Sequence, residues 1–206
     1  MMNRELFFAT PIYVADVGTP QLNKHLEHHI IEWSKRDKGV QKTNMNGWHS
    51  ETNMHKLPEY IDLVDILFKA QFHIYKIELL DNEPFLGNMW ANINYKGGYN
   101  RPHMHPNSLW SGVYYVKTPD KCGHLKLEDT RTMSLMSRPR KKQAICEGGC
   151  CTNEEPKHLW REVHFEPKAG RLIMFPSYVN HCVDPNQSDD IRISVSFNFL
   201  QAGMQA

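Results

Sequence analysis

The chain has 206 residues, with 24 Lys and Arg against 23 Asp and Glu, a net charge of +1, and 40% hydrophobic residues. That length suits one domain with a sizeable core, and the balanced charge removes the bulk attraction to polyanions on which a dedicated nucleic-acid binder relies. No apolar run approaches the roughly 18 residues of a membrane span, and the short apolar patch near the start is broken by Glu5, which predicts a cytosolic chain without a secretory leader.

Residues 7–17 are β-branched and aromatic around Pro11, the pattern of an edge strand beside the main sheet. Residues 20–35 set Leu22, Leu26, Ile30 and Trp33 at three- and four-residue spacing behind Pro20, which predicts an amphipathic helix. His25 and His29 stand one turn apart on it; with no carboxylate or cysteine cluster beside them they read as surface histidines rather than metal ligands. The polar stretch 38–54 reads as loop. A second helix is predicted over residues 58–80, where Ile61, Val64, Leu67, Phe68, Phe72, Tyr75 and Leu79 form a stripe with His73 at its side.

Beyond Phe85 the rhythm changes to short runs of Val, Ile, Tyr, Phe and Trp between turn signals: residues 87–95, 111–116, 124–128, 160–165, 171–175 and 191–200. Strands of that length after helices predict an α+β chain with a double-stranded β-helix, or jelly-roll, core. The expected organisation is a single domain over 1–206, with strand and helical support in 1–84 and the core in 85–206. In the last run Ile191, Ile193, Val195, Phe197 and Phe199 alternate with Arg192, Ser194, Ser196 and Asn198, so one side is apolar and the other polar, as a lined cavity needs. Residues 130–159 carry no core pattern and predict a long inserted loop. Cys146, Cys150 and Cys151, with His158 nearby, lack a zinc-knuckle spacing and read as reduced thiols; the basic run 138–142 reads as a solvated surface. Trp90, Trp110, Trp160 and Tyr178 are expected in the core or the cavity wall.

The chemistry concentrates in two segments. His103 and His105 are two apart, so on an extended segment both imidazoles project to one side and can converge on one ion. His181 follows a Phe175-Pro176-Ser177 turn, and Arg192 comes about one hairpin later, so a third imidazole and a cation can enter the same cavity. Imidazoles without thiolates suit iron, copper, zinc or nickel, and three facial ligands with open positions is the arrangement of non-heme Fe(II) oxygenases.

Read together, HMHPNSLWSGVYYV (103–116), GRLIMFPSYVNHCV (170–183) and RISVSFNF (192–199) resemble the 2-oxoglutarate- and Fe(II)-dependent oxygenases, and more closely a bacterial and phage family of them whose substrate is unassigned. The likeness spans most of the chain, including Phe8 to Ile12 and Gly47 to Ser50. It implies Fe(II), 2-oxoglutarate and O2 as cofactor and co-substrates, a hydroxylase of the prolyl-hydroxylase type, and release of succinate and CO2. By the same resemblance His103 and His181 are metal ligands, Arg192 clamps the distal carboxylate of 2-oxoglutarate with Ser194 as helper, and Tyr115 matches a strand tyrosine that binds the same carboxylate.

The sequence departs from the family where the pattern has a carboxylate two residues after the first histidine: His105 stands there. Either His105 is the third ligand, or a carboxylate comes from Asp129, which equally reads as a pocket or turn residue. Asn92, Asn94 and Asn198 alternate on polar strand faces and are candidates to bind 2-oxoglutarate or substrate. The substrate classes left open are an amino-acid side chain, a peptide or a small metabolite; no membrane or nucleic-acid partner is expected. A different reading also stays open, a cupin-like binding protein or phage-associated structural protein that keeps the cavity without turnover.

Overall fold

The computed structural model describes residues 9–129, 131 and 161–203. Strand β1 (Tyr13–Asp16), helix α1 (Pro20–Arg36), strand β2 (Asn44–His49) and helix α2 (Ile61–Ile77) precede seven strands: β3 (Phe85–His103), β4 (Trp110–Lys117), β5 (Leu125–Glu128), β6 (Glu162–Phe165), β7 (Arg171–Pro176), β8 (Asn180–Val183) and β9 (Arg192–Leu200). Thr19 caps α1 by accepting the Leu22 amide, Pro20 opens its first turn, and Lys35 and Arg36 close it where the helix dipole favours cations. Helix α2 begins at Ile61 after a single 3-10 turn at Pro58–Tyr60.

Antiparallel pairing runs β1-β7-β4-β9-β3-β8-β5-β6, with β2 added to β3. This curled sheet is the jelly-roll core of an α+β chain. Strand β3 makes the curl. Its first half pairs with β9 from Phe85 to Asn94, and its end pairs with β8 at Asn100 and His103. Between the two, Gly97 takes a positive φ of 79°, and a Cβ on Gly98 would meet the Asn46 carbonyl at 2.4 Å, so only glycine suits the change of partner. The bulge in β2 follows it, with Asn46 at φ 47° donating its side-chain amide to the Lys96 carbonyl.

The two sides of the sheet part company as the alternation in β9 predicts. Ile193, Val195, Phe197 and Phe199 meet Leu26 and Ile30 of α1 and Leu63, Leu67 and Ile74 of α2 in the main core, whereas Arg192, Ser194, Ser196 and Asn198 line a cavity. Tyr115, Leu125, Leu127, Ile173, Phe175 and Val179 form a smaller cluster, of which Tyr115, Leu125 and Phe175 also line the cavity.

Several local expectations are corrected. Residues 38–54 are not all loop, because β2 gains its strand form from pairing with β3 rather than from its own Asn- and Gly-rich sequence. The stripe of α2 is wider than the core it meets: Phe68 and Phe72 stay partly exposed, and Leu79, beyond the helix end, is 86% exposed. Tyr178 is exposed rather than a wall residue, and Trp110 is core. Among the described residues the edge strand covers Tyr13–Asp16. Cys146, Cys150, Cys151, His158, Trp160 and the basic run 138–142 lie outside the described residues. Among the described helices none is long and apolar enough to cross a membrane.

Candidate functional site

His103 is the last residue of β3 and lies directly opposite His181 on β8. His105 lies past the strand end, where its backbone amide donates to the Ser177 carbonyl at 3.0 Å. Convergence of the three therefore comes from a strand pairing plus a turn, not from an extended H-x-H segment. Their rings are 4.2 to 5.1 Å apart between centroids, and one ligand atom from each lies within 4.8 Å of the others.

The protonation state suits metal binding. The Nδ1 atoms of His103 and His181 sit 2.6 and 2.9 Å from the carbonyls of Arg101 and Val179. A carbonyl only accepts, so Nδ1 carries the hydrogen in both and the Nε2 lone pair is left for an ion. Burial lowers all three pKa values: to about 4 for His105, with His103 adding repulsion, and to about 3 for His181, again with repulsion from His103. The three imidazoles are neutral at neutral pH and hold no proton that an ion would have to displace.

The cavity beside them has a volume of about 350 Å³. Arg192, only 1% exposed, enters it from the start of β9. Its Nη1 donates to the Cys122, Gly123 and Asp184 carbonyls, while Nη2 is buried with no partner. Gly123 holds a φ of 85°, and a Cβ there would lie 2.3 Å from the Asp184 carbonyl, so this cradle depends on glycine. Burial presses the Arg192 pKa down, but a guanidinium stays charged. Arg192 and Lys42 are the charged side chains among the described lining residues, and no carboxylate is among them. The cavity is electropositive and suited to an anion.

Ser194 and Tyr115, a cross-strand pair on β9 and β4, both line the cavity. Burial raises the Tyr115 pKa strongly, so its hydroxyl remains a neutral donor. Of the amides, Asn198 and Asn92 are tied into the wall. Ser111 donates to Asn198, Asn198 donates to Asn88, and Asn92 donates to Ser196 while its Oδ1 stays buried without a partner. Asn94 also lines the cavity.

Asp129 does not line the cavity. It follows β5, and its two oxygens accept from Arg131 Nε and Nη2 at 2.8 Å each. His25 and His29 have ring centroids 4.4 Å apart, but among the described residues they form no three-ligand group.

The wall also holds residues that sequence reasoning missed. His49 stacks on Trp90 at 5.5 Å and 11°, and Trp90 in turn contacts His105. Lys42, Thr43 and Thr52 come from the stretch read as loop. Gly47-Trp48-His49-Ser50 was a signal for His49, but only the pairing of β2 with β3 brings it to the cavity.

The sequence profile of the family described as "Putative 2OG-Fe(II) oxygenase" matches residues 88–198, just over half of the chain. The chain belongs to this family. It is thus an oxygenase of the type that uses Fe(II) and 2-oxoglutarate. No curated protein sequence matches it. Among solved structures, the oxygenase resembles a Pseudomonas putida prolyl-4-hydroxylase at 15% identity, covering 93% of each chain with a TM-score of 0.66. A viral collagen prolyl hydroxylase from Paramecium Bursaria Chlorella virus-1 is similar at 15% identity over 91% of this chain and 94% of that one, with a TM-score of 0.60. HygX from Streptomyces hygroscopicus, with nickel, 2-oxoglutarate and hygromycin B bound, is similar at 9% identity over 95% and 85%, with a TM-score of 0.62. At such identities the likeness is one of fold. The oxygenase's own residues fit the family's needs: neutral imidazoles could hold Fe(II), and the orphaned Arg192 Nη2 could receive a carboxylate.

Proposed function

We propose that the protein is a hydroxylase-type, prolyl-hydroxylase-like 2-oxoglutarate dioxygenase in which His103, His105 and His181 hold Fe(II). In this reading Arg192, helped by Ser194 and Tyr115, holds the distal carboxylate of 2-oxoglutarate. The observation that carries it is the unpartnered Arg192 Nη2, buried in the same cavity as three converging neutral imidazoles. A lone buried guanidinium edge is costly unless a carboxylate meets it, and a dicarboxylate does so while its other end reaches the imidazoles.

When bound, Fe(II) with 2-oxoglutarate supplies oxidation of a substrate C–H bond by O2, coupled to conversion of 2-oxoglutarate to succinate and CO2. The chain's own part is binding and orientation. The Cys122, Gly123 and Asp184 carbonyls fix the guanidinium through Nη1 and leave Nη2 to the co-substrate. Tyr115 presents a neutral hydroxyl beside it. Phe175 packs against His181 at 4.9 Å between ring centroids, and Trp90, stacked on His49, packs against His105 at 5.8 Å, so apolar rings flank two of the imidazoles.

The substrate is an amino-acid side chain, a peptide or a small metabolite, with Asn88, Asn100, Thr43 and Thr52 as neutral hydrogen-bonding groups for it. Neighbours named as prolyl hydroxylases and one bound to hygromycin B support both ends of that range. The test is succinate release from 2-oxoglutarate in the presence of proline-containing peptides or metabolite pools. Release is expected to require Fe(II) and O2 and to rise with the right substrate. Metal-loaded protein that binds 2-oxoglutarate but releases no succinate would favour a binding role instead.

A further inference from the structure

Around strands β5, β6 and β8 a second group of potential metal ligands gathers on the side facing away from the cavity: His124 just before β5, His164 on β6 and Asp184 just after β8. Cross-strand partners share a side, and alternate residues along a strand return to it. Leu125, Leu127, His181 and Val183 take the inner side in register. Lys126 is opposite His164 on β6 and Cys182 on β8, and the Asp184 amide donates to the His124 carbonyl at 2.9 Å, so His124, His164, Cys182 and Asp184 share the outer side.

One ligand atom each from His124, His164 and Asp184 lies within 4.8 Å of the others, a property shared among the described residues only with the cavity imidazoles. His124 Nδ1 is 3.8 Å from an Asp184 oxygen, and the two imidazole centroids are 6.1 Å apart. The Nε2 of His164 donates to Glu162 at 3.0 Å, which leaves the lone pair on Nδ1, the tautomer arrangement common in metal-binding imidazoles. Among the described residues the ammonium opposite His164, that of Lys126, pairs with the other oxygen of Glu162 at 2.6 Å. That pair neutralises itself, so among these described residues the Asp184 carboxylate is left to attract a dication.

We propose that this outer face is a divalent transition-metal site, with His124, His164 and Asp184 as ligands and Zn(II) as the ion it takes. Two imidazoles and a carboxylate with one position left to water form a tetrahedral zinc set, whereas calcium and magnesium require more oxygen ligands than this face offers. The ion ties edge strand β6 and the loop before β5 to the end of β8, the strand whose inner side carries His181. None of the three side chains lines the cavity, although the Asp184 backbone carbonyl accepts from Arg192, and the site does not depend on the assignment of the iron ligands.

Equilibrium dialysis of tag-free full-length protein with Zn(II) tests the site. Wild type is expected to bind one zinc ion more than His124→Ala/His164→Ala, and crystals grown with zinc should show an anomalous peak between the three side chains. Asp184→Asn, a milder change on a half-exposed carboxylate, should weaken that ion at least about tenfold. The His103→Ala/His181→Ala protein should keep the outer ion. Equal zinc counts in wild type and in a folded His124→Ala/His164→Ala protein would overturn the proposal.

Discussion

His105 decides the charge of the proposed iron site. Three neutral imidazoles leave Fe(II) its full charge of +2, where one carboxylate ligand would lower it by one, so the anionic co-substrate meets a more positive centre. In the structure His105 converges with His103 and His181, while Asp129 is engaged by Arg131 outside the cavity wall. His105→Ala should therefore lower Fe(II) affinity by at least about tenfold, His105→Asp should restore it, and Asp129→Asn should leave it near wild type, all measured as iron bound under anaerobic conditions. Arg192 answers for the co-substrate rather than the metal. Arg192→Ala removes one partner of a buried charge pair, a loss of about 2–5 kcal/mol, so 2-oxoglutarate binding should weaken at least about thirtyfold by calorimetry while iron content holds. Unchanged co-substrate affinity would remove Arg192 from that role.

At the scale of elements, the site depends on β3 changing partners. The strand leaves β9 after Asn94 and joins β8 at Asn100, and that step carries His103 to a position opposite His181. Gly98→Ala forces a Cβ against the Asn46 and Tyr95 carbonyls at 2.4 and 2.8 Å, both backbone atoms that cannot swing aside. The variant should lose about 1–3 kcal/mol of stability in urea unfolding and bind iron more weakly, since the backbone must shift between the halves of β3. A variant as stable and as metal-competent as wild type would show that the bend does not set the site. Helix positions far from it, such as Leu67 in the core between α2 and the sheet, answer only for stability.

For the whole molecule, the buried imidazoles tie stability to pH. The unfolded chain protonates histidine near 6.5, but burial holds His105 at about 4 and His181 at about 3 in the metal-free fold. Between those values the unfolded state binds more protons, so stability falls as pH falls. Metal-free protein is expected to be most resistant to urea above about pH 6.5 and to lose up to about 1.4 kcal/mol per pH unit for each such ring down to about pH 4. His181→Phe should flatten that slope; an unchanged slope would mean the proton uptake lies elsewhere.

Local periodicity was enough to read the two helices, the strand-rich second half and the polar side of β9, because burial on one side of an element writes its period into the chain itself. The three histidines and Arg192 stood out as candidates through the resemblance of their segments to the family and the polar side of β9, whereas the convergence of the imidazoles comes from the pairing of β3 with β8 and the turn after β3. What the sequence alone left open depends on contacts between distant segments. Strand β2 exists because β3 offers it an edge, and His49 reaches the wall only through that pairing. The choice between His105 and Asp129 turns on which side of β5 and which end of β3 meet in space, and the outer face of His124, His164 and Asp184 is assembled across three strands. Sequence spacing fixes which side of its own strand a residue takes; only strand register decides which residues from other strands stand beside it.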